Sequence, residues 1–242
     1  MKAIVTGHTK GLGAAIASDL LARDIPVLGL ARSFSPEMQA RCPGLLAQID
    51  IDLADAGALG AWLGGSALRH FMAGDNAILL INNAGMVQPV GSLSDHDPLE
   101  VARAVMLNVA APMMLAAAVV AQSEAAERRI MHVSSGAGRS AYPGWSVYCA
   151  TKAALDQHAR AVALDALAGV RICSLAPGVI DTGMQAEIRA TPAARFPLRE
   201  RFIELQRAGE LSPPQQTARA LVEYMLAPGY GREPVDDLRS AR

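Results

Sequence analysis

Short, β-branched apolar runs alternate along this chain with longer stretches in which apolar residues recur every three or four positions. The run Ala-Ile-Val-Thr within residues 2–6 reads as a buried central strand. It passes through a glycine-rich turn into a helical pattern with Leu12, Ile16 and Leu20 on one stripe. Further strands are expected at residues 26–30, 45–49, 77–81, 128–133 and 170–175, and helices at 56–68, 99–122, 145–167 and 214–226. Segment 99–122 is apolar nearly all round, the pattern of a helix covered on two sides, by a sheet and by a second subunit. Residues 182–210 read as a lid of short helical pieces broken by Pro192 and Pro197. The charged tail from Gly229 offers at most a short strand near Pro234 and Val235.

Strands separated by helices of crossover length predict an α/β fold: one Rossmann-type, doubly wound parallel sheet with helices on both faces, spanning residues 1–242 as a single domain. In such a sheet ligands lie beyond the carboxyl ends of the strands. The glycine and polar clusters of this sequence fall at those ends, so the candidate site extends over most of the chain.

Composition narrows the function classes. Half the residues are hydrophobic (51%) and the formal net charge is −1, which gives no electrostatic case for nucleic acid or an anionic membrane surface. The most apolar stretch, residues 109–120, is too short to span a bilayer and contains Pro112. No signal peptide is expected. Cys42, Cys149 and Cys173 show no metal-ligand or disulfide spacing, so reduced thiols in a cytoplasmic protein and no metal site are expected.

Three places carry chemistry. The turn Gly7-x-x-x-Gly11-x-Gly13 can bring backbone N–H groups and a helix N-terminus against a pyrophosphate, although its first gap is longer than in G-x-G-x-x-G. At the end of the second strand stands Arg32, with no acid between residues 29 and 35 and with Lys10 nearby in the turn. Two cations suit a 2′-phosphate, where an NAD site would place a carboxylate, so NADP(H) is the expected cofactor. Asp52, closing the third strand, either accepts from an adenine amino group or caps the following helix. Tyr148 and Lys152 stand four apart on one helix face, where an ammonium can favour the phenolate and draw its pKa toward neutrality.

Taken together, residues 6–13, Asn82 to Gly85, Asn108, Ser135, Tyr148 with Lys152, and Pro177-Gly178 to Thr182 resemble the short-chain dehydrogenase/reductase family, in order and over nearly the whole chain. Ser-Ser-Gly-Ala-Gly, Gly-Trp-x-x-Tyr-Cys-x-Thr-Lys-Ala and Pro-Gly-Val-Ile-Asp-Thr-Gly-Met look closest to its benzil reductase and sepiapterin reductase branch. The resemblance implies an NADPH-dependent reductase of ketones or vicinal dicarbonyls. Tyr148 would be the proton donor, Lys152 would tune it and hold the nicotinamide ribose, Ser135 would bind the substrate oxygen, and Asn108 would sit at a helix kink and support a water relay. Gly7, Thr9, Lys10, Gly11, Leu12, Gly13, Arg32, Asp52, Leu53, Asn83, Ala84, Gly85, Pro177, Gly178, Val179, Ile180 and Thr182 would line the cofactor, and Met86, Gly136, Trp145 and Met184 the substrate. Two alternatives stand beside this reading: a catalytically silent NADP-binding sensor, and an alcohol dehydrogenase working toward oxidation. A homodimer is expected through helices 99–122 and 145–167, with a homotetramer as the alternative. His8-Thr9 departs from the small pair commoner in this turn, and the sequence offers no reason for it.

Overall fold

A computed structural model describes residues 1–240. Seven parallel strands form one sheet in the order β3-β2-β1-β4-β5-β6-β7: β1 (Lys2–Thr6), β2 (Val27–Ala31), β3 (Leu46–Asp50), β4 (Ala77–Asn82), β5 (Glu127–Val133), β6 (Val170–Ala176) and β7 (Val235–Asp237). The order reverses between β1 and β4, which is the switch point where a doubly wound sheet opens a crevice. The tail does form a seventh strand, of three residues, pairing Val235 to Asp237 with Ser174 to Ala176.

Helices α1 (Gly11–Leu21) and α10 (Pro214–Leu226) pack together on one face of the sheet, where Ile16, Leu20, Val5, Ile81, Leu221 and Met225 share one core. A second core on the other face gathers Ile4, Leu30, Leu80 and Ile130 against α3 (Ala56–Gly64), α4 (Ala67–Met72), α6 (Ala111–Gln122), which continues from α5 (Pro98–Val105), and α7 (Ser146–Leu164). The short α2 (Pro36–Arg41) follows β2. The single helix expected over 56–68 is two, because Gly64-Gly65-Ser66 interrupts the path and α4 starts afresh.

From Pro98 to Gln122 the chain is one continuous helix of 25 residues, with mean hydropathy 2.1 over its most apolar window. By length and composition it could cross a membrane, which corrects the reading of residues 109–120 as too short. Its inner side, including Ala111, Leu115 and Val119, belongs to the second core. Between α5 and α6, residues Met106–Ala110 form a π-helical turn. Pro112 lacks the N–H that the Asn108 carbonyl would receive in a regular helix, so the widened turn falls where the ladder is already broken.

A third, smaller cluster stands apart from both cores. Trp145, Tyr148, Ile188, Phe196 and Phe202 pack with Val87 and Val90, joining the start of α7 to α8 (Gly183–Ala190) and α9 (Arg199–Arg207).

Candidate active site

The turn after β1 is held from three directions. Gly7 takes φ +69°, and its N–H donates to the Leu30 carbonyl at 2.8 Å, tying the turn to β2. A Cβ on Gly13 would lie 2.1 Å from the Gly7 carbonyl oxygen, so α1 begins in backbone contact with the turn. The Thr6 hydroxyl accepts from the N–H groups of Asn83 and Ala84, both at 2.9 Å, and Asn83 Nδ2 donates back to the Thr6 carbonyl at 3.0 Å. The ends of β1 and β4 are thereby locked together, which positions Asn83, Ala84 and Gly85.

A cleft of about 1110 Å³ runs over the carboxyl ends of the strands. It is lined by every residue expected at the site except Asn108: the glycine turn with Thr9, Lys10 and Leu12, then Arg32, Asp52, Leu53, residues 83–86, Ser135, Gly136, Trp145, Tyr148, Lys152, residues 177–180, Thr182 and Met184. Asp52 does not cap a helix. Its Oδ1 accepts from the Ala54 N–H (3.0 Å) and its Oδ2 from Arg103 (3.3 Å), while α3 is capped by Asp55, which accepts from the Ala58 N–H at 2.9 Å. Arg103, on α5, thus joins Lys10 and Arg32 among the cations lining the cleft. A glycine-walled turn, the unpaired N–H groups opening α1 and these cations fit a dinucleotide phosphate chain with an additional anionic group.

At the other end, Tyr148 and Lys152 lie one turn apart on α7, both buried. Lys152 Nζ donates to the Val133 carbonyl at 2.8 Å and sits 5.7 Å from the centre of the Tyr148 ring. A Cβ on Gly85 would lie 3.2 Å from Asn108 Oδ1 and 3.7 Å from Lys152 Nζ, so these three positions converge. Asn108 occupies the π-helical turn, at the kink expected for it, but only 1% exposed and behind the cleft wall. Its amide is fully engaged: Oδ1 accepts from the Met86 N–H (2.9 Å), and Nδ2 donates to the Met86 carbonyl (2.8 Å) and to Thr151 Oγ1 (3.2 Å). The side chain anchors the loop after β4.

Burial pushes the Tyr148 phenol up to about 12, with the Ser135 hydroxyl acting against the shift. It pushes the Lys152 ammonium down to about 8, opposed by the charge of Asp156. The expectation that Lys152 draws the phenol toward neutrality is therefore corrected. Its hydrogen bond goes to the Val133 carbonyl, and desolvation dominates both groups. A phenol near 12 is protonated at neutral pH, which suits a proton donor.

Sequence reasoning missed the support beneath this pair. Asp156, one turn beyond Lys152, is 1% exposed and accepts from Ser134 Oγ (2.7 Å), Ser174 Oγ (2.7 Å) and Arg139 Nε (3.1 Å). Arg139 also donates to the Asp236 carbonyl at 2.8 Å, so one carboxylate links α7 to the ends of β5, β6 and β7. The substrate wall was expected over residues 136–145, 86–90 and the lid, and the structure names its aromatic members within those ranges. Trp145 stacks on Phe196 (4.6 Å, 13°) and meets Tyr142, Tyr148 and Phe202, and these last three line the cleft, as do Arg201 and Arg239.

Comparison with known proteins agrees with this geometry. Residues 1–193 match the family model for short chain dehydrogenases. The chain is 33% identical over 228 residues to a benzil reductase ((S)-benzoin forming) of Bacillus cereus, covering 90% of this chain and 91% of that one. It is 32% identical over 239 residues to the sepiapterin reductase of Meriones unguiculatus, covering 92% and 90%. Among solved structures, a short-chain dehydrogenase/reductase from Burkholderia vietnamiensis is 49% identical, with a TM-score of 0.73 over 100% of this chain and 98% of that chain.

Proposed function

This chain belongs to the short-chain dehydrogenase/reductase family of oxidoreductases, and from that membership we propose that it is an NADPH-dependent carbonyl reductase acting on ketones or benzil-like vicinal dicarbonyls. The observation that carries the reading is the meeting, in one cleft, of a glycine turn flanked by Lys10 and Arg32 with Ser135, Tyr148 and Lys152. Relatives named as benzil reductases, 33% identical over nine-tenths of the chain, support the dicarbonyl substrate.

In this reading the glycine turn and the N-terminus of α1 hold the pyrophosphate, Lys10 and Arg32 the 2′-phosphate, and Asp52, Leu53 and residues 83–85 the adenosine half. Lys152 holds the nicotinamide ribose, and residues 177–180 with Thr182 the carboxamide. The bound cofactor supplies the hydride. Ser135 donates a hydrogen bond to the substrate oxygen, Tyr148 gives that oxygen its proton, and Lys152 stabilises the negative charge that develops. Asn108 supports proton resupply toward Lys152 from behind Gly85. Met86, Gly136, Trp145 and Met184 wall an apolar substrate pocket, and residues 182–210 form its lid. The Lys10 and Arg32 pair, suited to NADPH, favours the reductive direction over alcohol oxidation through the cofactor used. The intact Tyr148 and Lys152 pair disfavours a silent sensor.

We place the enzyme in the cytoplasm, where its three free cysteines stay reduced. We assign it a homodimer through α5, α6 and α7, whose outer sides leave Leu99 79% and Leu164 86% exposed. The test is the loss of nicotinamide absorbance with benzil. NADPH is expected to be consumed much faster than NADH, and no turnover despite tight NADPH binding would favour the sensor.

A further inference from the structure

His8 stands in a turn between a strand and a helix, yet its side chain is 0% exposed. Its ring packs against β2 at Gly29, where a Cβ would come within 2.4–2.5 Å of three ring atoms. Only a glycine in the strand admits the ring. His8 Nε2 is 2.8 Å from Oε1 of Gln48 on β3. The same Oε1 accepts from the Ser35 backbone N–H at 2.7 Å, and Gln48 Nε2 donates to Gln39 Oε1, on α2, at 3.1 Å.

These contacts fix the proton on His8. A backbone N–H is only a donor, so the Gln48 atom facing Ser35 is the amide oxygen, and the imidazole beside that oxygen donates from Nε2. Burial pushes the His8 pKa down, with the Gln48 contact acting against it.

Ser35 lies three residues beyond Arg32, and the segment between them is exposed, with Phe34 at 53%. A cation on such a loop has no fixed place unless the backbone is pinned. The glycine turn carries the pyrophosphate contacts, and the loop after β2 carries Arg32. His8 and Gln48 are a direct side-chain link between the two.

We propose that His8 and Gln48 are positioning residues for cofactor choice: they hold the loop bearing Arg32 in register with the glycine turn, and so favour a dinucleotide that carries a 2′-phosphate. The role rests on the NADPH reading above and adds to it two residues that touch neither cofactor nor substrate. It also gives His8 a reason to replace a small residue in the turn. The penalty for losing the link falls on the 2′-phosphate, because the turn itself is secured separately by Gly7, Gly13 and Thr6.

The experiment measures NADPH and NADH dissociation constants by quenching of protein fluorescence in the wild type, Gln48→Met and Gln48→Glu. Gln48→Met keeps the volume and removes both hydrogen-bonding ends. It is expected to weaken NADPH about tenfold, the order of one lost buried hydrogen bond, and NADH less than about twofold. The maximal rate at saturating NADPH is expected to stay within about twofold. Gln48→Glu keeps acceptors for His8 and Ser35 and is expected to retain most of the preference; it also serves if Gln48→Met does not fold. Equal weakening of both dinucleotides, or of neither, in a wild type that prefers NADPH would overturn the inference. A wild type without preference would instead overturn the NADPH reading, a separate and prior result.

Discussion

Two buried polar networks flank Lys152, and they are built on opposite principles. Asp156 draws two hydroxyls and a guanidinium around one carboxylate and joins α7 to three strand ends. His132 on β5 is also fully buried, but its partners are the Asn82 amide (3.1 Å) and the His158 ring (3.0 Å). Neither can hold a cation against desolvation, and Lys152 adds a like charge. Burial first, then His158 and Lys152, push the His132 pKa down to about 3. The contrast teaches that burial alone does not decide what a polar group contributes; the supply of matching partners does. Asp156 delivers negative charge to the vicinity of Lys152, whereas His132 delivers only shape.

The sharpest separation of chemistry from scaffold comes from Tyr148→Phe, which spares both networks. Steady-state turnover is expected to fall at least ~10²-fold with little change in stability. Near-normal turnover would sink the assignment of the proton donor. Asp156→Ala breaks the first network and leaves Arg139 only the more distant Asp237 carboxylate, at 4.0 Å. Because Arg139 is partly exposed, denaturant unfolding is expected to register a loss of about 2–3 kcal/mol, below the range for fully buried pairs.

The second network is probed by acid. His132 has a folded pKa of about 3 against an ordinary 6.5, so between these values the unfolded chain binds the proton and the folded chain does not. The stabilising contribution is present above pH 6.5 and is lost as pH falls toward 3. It amounts to about 1.5 kcal/mol between pH 6.5 and 5. His132→Gln is expected to flatten the measured dependence over that window, and an unchanged slope would contradict the neutral assignment. Finally, kcat/KM for NADPH, which reports the free enzyme, is expected to fall about tenfold per pH unit above about 8 as Lys152 loses its proton. Asp156→Asn removes a charge that raises the Lys152 pKa, so its limb moves to lower pH; a limb that stays in place would break the link between network and lysine.

What the sequence revealed depended on range. The glycine turn, the strand-end clusters and the Tyr148 and Lys152 pair are local patterns, and periodicity with spacing sufficed to place them. Asp156 is equally local, four residues beyond Lys152, but in sequence it is one more acid on a helix; its burial arises from Ser134, Ser174 and Arg139, which only the fold gathers. Arg103 meets Asp52 across 51 positions, and His8 meets Gln48 across 40. Such pairs leave no periodic trace in a single chain. The Tyr148 phenol was misjudged for a related reason: spacing puts a lysine beside it, but only packing shows which carbonyl takes the ammonium and how dry both groups are.

The cluster of Trp145, Phe196 and Phe202 shares no member with the two cores on the sheet. Selection can therefore act on it without undermining the framework. In the proposed reading, substitutions at Phe196 and Phe202 would alter which carbonyl compound is admitted while cofactor capture stays with residues rooted in strands, whereas Trp145, 5.3 Å from the Tyr148 ring, ties this region to the proton donor. On that reading, a lineage built on this plan would diversify its substrates through one small region and inherit the sheet and its two cores unchanged.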